Sequence, residues 1–476
     1  MNNYKISILS ICLFLVSVLI CINVNAVAIE IHPDEKPHLD ALFKRLNLDF
    51  NKIVISEMKS GKITKKNTNY YRDFGDYKTY YFYDVKFGGS QTITLITDLD
   101  NRISFLRIVE TDLVDLREVQ NFKSLKWLNV HVTNIKSLRG ISKLKKLERL
   151  DFLGNDNINS LSEIKDLPRL KIINSDTNSS ITDISGMRNL PALNVFLCRS
   201  CEIDNVESLS KFTSLEKLEL GINANSLDPL RSLKNLKFLK TTSLVLKEID
   251  AINDMASLEK VWFRGGKAEA LNISKTLPNL KSLRFLDNPL KQLPDLSKLP
   301  ALEVFSVVRS NISKVDLPSD LHKLKVLKFI GNDNLKTIPK ISSIPNLEKL
   351  TLTKSAFESV EIDHLPSLQV LDLSNTNITQ LGDFSRFPSL TELKLFNTKV
   401  ISLKPLLDAP KLWSVVLDRS ARGIPNVSLI TQALKVNAVL RYDDGKDKPS
   451  AKERYAQLLA EKKSIKPEKT SRRRRN

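Results

Sequence analysis

The sequence predicts a curved α/β solenoid whose concave face is a parallel β-sheet. Fourteen leucines, from Leu125 to Leu412, recur at intervals of 21 to 23 residues. Taking each leucine as position 0, apolar residues follow at +3 and +5, which is the alternation of a short strand with one buried face. A small polar residue stands at +8 in most units, as in "SLQVLDLSNTNITQL" (367–381). One such unit cannot bury its own apolar residues, so the units must stack and share a core.

The array is expected to cover residues 103–422 in about fifteen units. One period before Leu125, Ile103 is followed by Leu106 and Ile108, so the register reaches back to that point. About a dozen residues return the chain in each unit, which predicts short 3₁₀ or irregular turns on the convex side. We expect the +8 side chain to turn inward and hydrogen-bond the neighbouring loop, because a tight coil leaves backbone amides unpaired.

These features resemble the leucine-rich-repeat family, with its pattern L-x-x-L-x-L-x-x-N-x-L, over about 320 residues. Within that family, the period of about 22 residues and segments such as "SNTNITQLGDFSRFPSL" (374–390) are similar to the internalin-type repeats of bacterial surface and secreted proteins. The resemblance implies a curved horseshoe that binds a ligand on its concave sheet.

Residues 27–102 are expected to form an N-terminal α+β cap that shields the first unit from water. The Tyr-, Thr- and Ile-rich stretch at 77–109 predicts paired strands that run into that unit. Internalins open with a wholly helical cap, so these strands depart from the family's pattern. A helix is also predicted within residues 32–46, with Asp34 as its N-cap and an apolar face made by Leu39, Leu42, Phe43 and Leu46.

Residues 1–26 are typical of an export signal. An apolar run, "ISILSICLFLVSVLICI" (6–22), follows a positive start, and "VNA" (24–26) places short side chains before the expected cleavage site. The run is about 17 residues long, so an uncleaved membrane anchor is the alternative. Lipidation at Cys21 is a weaker third interpretation, because Ile20 stands where a lipoprotein signal needs a small residue.

At the other end, residues 423–445 are expected to cap the array, with a helix near 426–436. A tail at 446–476 follows, with a further helix predicted at 450–463. This tail holds 12 lysines and arginines against 4 aspartates and glutamates, and it contributes much of the net charge of +19. Either it is a solvated segment, or it contacts anionic lipid, glycan or polymer. Specific nucleic-acid binding is not expected behind an export signal.

Side chains at +2, +4 and +6 should point outward from the concave sheet towards a partner. Between residues 193 and 353 these positions hold eight cations and one acid, Glu219. Cations beside aromatic residues favour an acidic protein or an acidic glycan as ligand. The alternative is that a basic protein carries lysines everywhere and that its tryptophan is packing. The candidate ligand-binding residues are Arg199, Lys217, Phe238, Lys240, Lys260, Trp262, Arg264, Arg284 and Lys328, beside Leu197, Leu286 and Lys349.

A second, smaller candidate patch lies near the N-terminal cap. It consists of Phe105, Arg107 and Trp127, which are also at outward positions of their units. The same combination of a cation with aromatic rings suggests a binding surface.

The pair Cys198 and Cys201 has the Cys-x-x-Cys spacing of redox and zinc sites. The repeat register places Cys198 at +5 and Cys201 at +8, so both should be buried. A zinc site needs two further ligands nearby, and a redox dithiol needs an exposed thiolate. We therefore expect ordinary core packing, with a short structural disulfide as the open alternative.

The sequence contains no evident catalytic set, so we expect neither enzymatic activity nor a cofactor or metal. No phosphate-binding glycine loop or nucleophile elbow occurs, and metal-binding spacing is absent from the histidines His32, His38, His131, His322 and His364. We expect a monomeric, exported bacterial recognition protein that binds a protein ligand, acidic or glycan-bearing. The alternatives are a cell-envelope structural or adhesive component held by the apolar N-terminus or the cationic tail, and an intracellular regulatory scaffold.

Overall fold

The computed structural model describes residues 31–46, 54–58, 81–86, 92–318, 320–336, 341, 344–358, 362–418 and 439–443. The predicted signal at 1–26, the predicted helices at 426–436 and 450–463, and the basic tail at 446–476 lie outside these ranges.

The described elements are one α-helix, a series of strands and short 3₁₀ helices on the convex side. The helix is α1 (Lys36–Arg45). The strands are β1 (Val54–Met58), β2 (Tyr81–Lys86), β3 (Thr92–Thr97), β4 (Ile103–Val109), β5 (Trp127–His131), β6 (Arg149–Asp151), β7 (Ile172–Asn174), β8 (Val195–Ile203), β9 (Lys217–Ile222), β10 (Phe238–Ser243), β11 (Lys260–Gly265), β12 (Ser282–Leu286), β13 (Val304–Val308), β14 (Val326–Ile330), β15 (Lys349–Thr353), β16 (Val370–Asp372), β17 (Glu392–Leu395), β18 (Ser414–Asp418) and β19 (Val439–Asp443). The 3₁₀ helices are Val119–Asn121, Ile141–Lys143, Glu207–Lys211, Asp228–Ser232, Asp250–Asp254, Leu296–Lys298, Phe384–Arg386 and Lys404–Asp408.

The strands form one sheet in which each strand pairs with the next along the chain. β1 to β4 pair antiparallel. From β4 to β19 every pairing is parallel, so the described part of the chain contributes sixteen parallel strands. This open parallel sheet with short 3₁₀ turns behind it confirms the predicted leucine-rich-repeat horseshoe.

The core lies between the sheet and the convex turns and runs through all the described units. The side chains at 0, +3 and +5 are buried, as Leu258, Val261 and Phe263 show with exposures of 0%, 0% and 1%. The apolar ones belong to one continuous cluster that reaches from the helix to the last units. Stacking therefore supplies the core that a single unit lacks.

The buried +8 asparagines bond the backbone of the preceding unit, as predicted. The Oδ1 atom of Asn155 accepts from the Thr133 amide at 2.8 Å, and its Nδ2 donates to the Val130 carbonyl at 3.0 Å. Asn332 repeats this arrangement, accepting from the Ser310 amide at 3.2 Å. Each fully buried amide thus satisfies groups that would otherwise be left unpaired.

Two consecutive units depart from this pattern. At +8, Asn223 and Leu244 are exposed, and Ile222 and Ser243 at +7 are buried instead. In most units the +7 residue has a positive φ, which ends the strand, but neither Ile222 nor Ser243 does. Because their strands stay extended to +7, the alternation of side chains continues one step further and changes which residue faces inward.

The N-terminal helix packs on the first unit by apolar contacts and by ion pairs. Its apolar residues Leu39, Leu42, Phe43 and Leu46 are buried, as predicted. The predicted N-cap at Asp34 is wrong, because the helix is capped at Glu35, whose carboxylate turns inward and accepts from the Ile103 amide at 2.6 Å. Arg45 bonds Asp115 at 2.9 Å. Burial opposes ionisation of Asp115, but bonds from Arg45 and Arg117 outweigh it and lower the pKa of this carboxyl.

At the C-terminal end, the sheet continues beyond residue 422. β19 pairs in parallel with β18, from Ser414 opposite Val439 to Asp418 opposite Asp443. The predicted cap at 423–445 therefore includes a strand that prolongs the sheet. The repeat pattern did not predict it, because the strand pairing puts Asn437, 25 residues after Leu412, where the other units have leucine.

Candidate ligand-binding surface on the concave sheet

The outward side chains form three rows across the concave sheet. In the +4 row, Lys240, Trp262, Arg284, Ser306 and Lys328 stand opposite one another on successive strands. The nine candidate ligand-binding residues are exposed or half-buried. The strand pairing brings them onto one continuous face, because parallel strands in register align equivalent positions of every unit.

Three of the candidate cations are held by acidic neighbours. The Nε atom of Arg199 donates to Asp176 Oδ2 at 2.8 Å, and this bond raises the pKa of Arg199. Glu219 lies 3.0 Å from Lys217 Nζ and 3.8 Å from Lys240 Nζ. The sequence prediction did not include Asp176, because it covered outward positions only between residues 193 and 353. Asp176 is at +6 of the unit just before that stretch. This half of the surface is therefore close to neutral.

The other cations have no acid within ion-pairing distance among the described residues. They are Lys260, Arg264, Arg284, Lys328 and Lys349, and we call them the free cations. Removal from water lowers the pKa of Lys328, and the positive charges of Arg284 and Lys349 lower it further. The free cations therefore carry the positive potential of the concave face.

Two aromatic rings lie between the paired and the free cations. Phe238 and Trp262 pack edge to face with ring centroids 5.0 Å apart. The Arg284 guanidinium carbon lies 4.7 Å from the Trp262 ring centroid, and Lys240 Nζ lies 5.8 Å from it. The Trp262 Nε1 atom is buried without a hydrogen-bond partner among the described residues. Trp262 is thus packed by two cations and one ring while it remains half-buried.

An apolar area beside the free cations was only partly recognised from the sequence. In the +6 row Leu286, Val308 and Ile330 stand opposite one another, and in the +2 row Val304 is opposite Val326. All five are half-buried, and we call them the apolar platform. The sequence signal for this platform is the presence of apolar residues at outward positions of three consecutive units. Such positions are usually polar on a sheet face that is exposed to water.

The second candidate patch is corrected by the structure. Phe105 and Trp127 are 1% and 4% exposed, so the rings do not form an exposed surface. They pack edge to face at 5.0 Å, and Arg149 covers Trp127 with its guanidinium carbon 4.4 Å from the ring centroid. Asp151 accepts from Trp127 Nε1 and pairs with Arg149. Arg107 stays half-buried on the neighbouring +4 position.

Cys198 and Cys201 are both buried, and their sulfur atoms are joined in a disulfide. The pair spans an irregularity in which β8 has three more residues than β9 between the aligned positions, as Cys198 faces Leu220 and Ile203 faces Ile222. This bulge carries Arg199 outward to the concave face.

The edge of the sheet at position +1 carries a regular ladder of opposite charges, which we call the lateral edge. Lysine and glutamate alternate along it, and ion pairs join Glu148 with Lys171 at 2.8 Å, Glu216 with Lys237 at 2.9 Å, Glu259 with Lys281 at 2.9 Å, and Glu303 with Lys325 at 3.7 Å. This alternation pairs the charges of the edge, in contrast to the free cations on the concave face beside it.

Within the described ranges, no cluster of three or more His, Cys, Asp or Glu side chains has metal-binding geometry. The same residues include no helix long and apolar enough to cross a bilayer.

Comparison with known proteins places the fold. The leucine rich repeat family model matches residues 345–400. An internalin (inlF) from Listeria monocytogenes is similar in structure, with 18% identity and a TM-score of 0.50 over 66% of this chain and 90% of that protein. A leucine-rich-repeat protein from Leptospira interrogans matches with 20% identity and a TM-score of 0.53 over 70% of this chain and 88% of that protein. A search of curated protein sequences finds no match.

Proposed function

Because this chain is a leucine-rich-repeat protein with a solenoid similar to that of internalins, we propose that it is an exported, non-enzymatic recognition protein that binds a protein ligand on its concave sheet. The observation that carries the proposal is the charge imbalance of that sheet. The free cations lack acidic partners among the described residues, and they surround Trp262 and the apolar platform. Arginine and tryptophan beside apolar groups are the residues that most often anchor protein interfaces.

Three candidate cations are already in ion pairs, which limits the part of the concave sheet that can bind a ligand. Arg199, Lys217 and Lys240 are engaged by Asp176 and Glu219, so a ligand would have to displace an existing partner to reach them. The free cations offer their charge without that cost. We therefore place the ligand over β11 to β15 and expect its contacting surface to be acidic and partly apolar.

A charge-reversal variant tests this surface. Lys260, Arg264, Arg284 and Lys328 are replaced together by glutamate, and the immobilised protein is presented with a biotin-labelled fraction of cell-surface proteins. We expect capture of the proteins that the unmodified chain retains to fall at least about tenfold.

The matched control reverses four lysines of the lateral edge, Lys171, Lys237, Lys281 and Lys325, which changes the net charge equally. This control should capture as the unmodified chain does. Equal capture by the concave variant and the lateral variant would exclude the concave surface as the ligand site.

Export is a separate part of the proposal. Its support is the apolar run at 6–22 followed by "VNA" (24–26), which has the form of a cleavable signal. N-terminal sequencing of the protein recovered from its native cell should start at Val27. An intact Met1 would instead favour the anchored or intracellular alternatives.

A further inference from the structure

Three consecutive residues of the +4 row form an unusual group at the centre of the free cations. Arg284 on β12 stands opposite Ser306 on β13, and Ser306 stands opposite Lys328 on β14. Neighbouring strands lie about 4.8 Å apart, so the backbones that carry the two cations are about 10 Å apart. Ser306 is 6% exposed and short, and it forms a polar floor between two long basic side chains.

The two cations repel each other, and no described acid neutralises them. Removal from water and the nearby charges of Arg284 and Lys349 lower the pKa of Lys328, against a smaller opposite effect of Asp372. Removal from water also lowers the pKa of Arg284. Two like charges that are partly removed from water are unfavourable in the unliganded protein, and an anion placed between them relieves both effects.

Arg284 is held so that part of its guanidinium group is available. Its Nε donates to Ser282 Oγ at 3.2 Å, and its planar group lies over Trp262. These contacts fix the orientation of the side chain and leave the terminal N–H groups without a partner among the described residues. A planar donor fixed in this way suits an oxyanion better than a lysine alone does.

Apolar side chains border this group on both sides. The +6 side chains Leu286, Val308 and Ile330 lie on one side of the row, and Val304 and Val326 lie on the other. A fully hydrated inorganic ion gains nothing from such surroundings, whereas an anion attached to an apolar group buries that group against them.

We propose that Arg284, Ser306 and Lys328 form an oxyanion-binding site on the concave sheet, which takes the carboxylate of an acidic side chain carried on an otherwise apolar peptide segment. The proposal rests on the proposed recognition function and names the chemistry that its ligand brings to this surface. The carboxylate lies between the two cations over Ser306, and its apolar neighbours pack on the apolar platform.

Site-resolved acylation of lysines on the purified protein tests the site. Lys328 is labelled with a limiting amine-reactive reagent, with or without hexanoate as the probe, and mass spectrometry compares the labelling rates. With a dissociation constant of about 10 mM, about 20 mM hexanoate should slow labelling of Lys328 roughly threefold. Exposed Lys260, which has Phe238 and Ser282 opposite it and lies outside the apolar platform, is the internal control and should label at an unchanged rate.

Two further arms test the chemistry. Acetate and inorganic sulfate at the same concentration should protect Lys328 less than hexanoate does, because neither has an apolar chain to bury. Arg284→Gln should reduce the protection by hexanoate while the far-ultraviolet circular dichroism stays unchanged.

The proposal is overturned if hexanoate leaves the labelling of Lys328 unchanged, if it slows Lys260 equally, or if acetate or sulfate protects as well as hexanoate. The measurement uses the protein alone, so this failure is distinct from failure of the recognition function. If the labelling result is negative, a captured protein ligand must be bound by other residues of the concave sheet. If no ligand is captured, a positive labelling result still supports the anion site.

Discussion

The residue at +7 ends the strand in most units by adopting a left-handed backbone conformation. Several side chains of very different chemistry do so, among them Asp287 with φ of 61° and Lys354 with φ of 53°. For residues other than glycine this conformation brings Cβ close to a carbonyl oxygen and costs about 1–2 kcal/mol. The most costly case is Val132, with φ of 48°, because its branched side chain crowds the backbone further.

Val132→Asn should raise the free energy of unfolding by about 1 kcal/mol, since asparagine tolerates the left-handed region. Val132 is 46% exposed, so little burial is lost. Chemical denaturation measures the change. Lys354→Val, at the same position of another unit, is the reverse control and should lower stability by a similar amount. A Val132→Asn protein that unfolds more easily than the unmodified chain contradicts this account.

Glu35 joins the N-terminal helix to the array through a buried carboxyl group. It is 2% exposed, and burial raises its pKa to about 7 despite the hydrogen bond from the Ile103 amide and the charge of Arg102. The charges of Asp98 and Asp34 act in the same direction as burial. A carboxyl whose pKa is higher in the folded protein favours the fold when protonated. Its contribution is present below pH about 4.5 and is lost as the pH rises through about 7.

We therefore expect the cap to loosen between pH 5 and pH 8, by about 2–4 kcal/mol in local opening free energy. Amide exchange of α1 and of Ile103 measures this, after correction for the intrinsic pH dependence of exchange. Glu35→Gln keeps an acceptor for the Ile103 amide and should flatten the dependence. An equally steep dependence in Glu35→Gln would exclude Glu35 as its origin.

Among the elements, β8 shows how a covalent link and a glycine accommodate a bulge. The disulfide closes the bulge between Cys198 and Cys201, and the bulge lies against β9 at Gly221. A Cβ atom at Gly221 would overlap the Cys201 carbonyl oxygen. Glycine is required there by close backbone approach rather than by a positive φ.

In protein folded under oxidising conditions, the peptide that contains Cys198 and Cys201 should be alkylated only after reduction. Peptide mapping of unfolded protein, with and without prior reduction, measures this. The chain-entropy estimate for so short a loop is about 2 kcal/mol, so reduction should lower stability by about that amount. The double variant Cys198→Ser, Cys201→Ser should be insensitive to reductant. Two free thiols in the unreduced protein would favour simple core packing.

Element boundaries were predicted best where the repeat is regular. The alternation at +3 and +5 predicted the strands from β4 to β18, because period 2 and burial of one face leave one register. The assignment of +8 as an inward position failed at Asn223 and Leu244, because the strand stays extended to +7 and the +7 residue faces inward instead. Position in the repeat thus predicts burial of the +8 residue only when the strand ends before +7.

In the molecule as a whole, each unit contacts mainly its neighbours, so stability should be transmitted from unit to unit. Phe263 packs against Phe285 of the next unit, with ring centroids 5.5 Å apart. Both rings are fully buried. Such contacts link the units that carry the free cations. The concave surface that these cations form therefore depends on the folded state of neighbouring units.

Phe263→Ala should cost about 3–5 kcal/mol and should lower amide-exchange protection most in β10, β11 and β12. Phe152→Ala is the matched variant, because Phe152 occupies the same +5 position directly after β6, in a unit nearer the N-terminus. Its loss of protection should centre on β5 and β7 instead. Uniform loss across the sheet in either variant would show all-or-none unfolding in place of coupling between neighbours.

By itself the sequence determined the solenoid, the inward and outward faces of its strands and the burial of Cys198 and Cys201, because these follow from spacing along one chain. Only the tertiary structure decided which charges remain available. Arg199 is neutralised by Asp176 of the preceding unit, while Lys328 has no such partner among the described residues. An ion pair depends on distances between side chains of neighbouring strands, and these distances are set by the stacking of the units rather than by their spacing in the sequence.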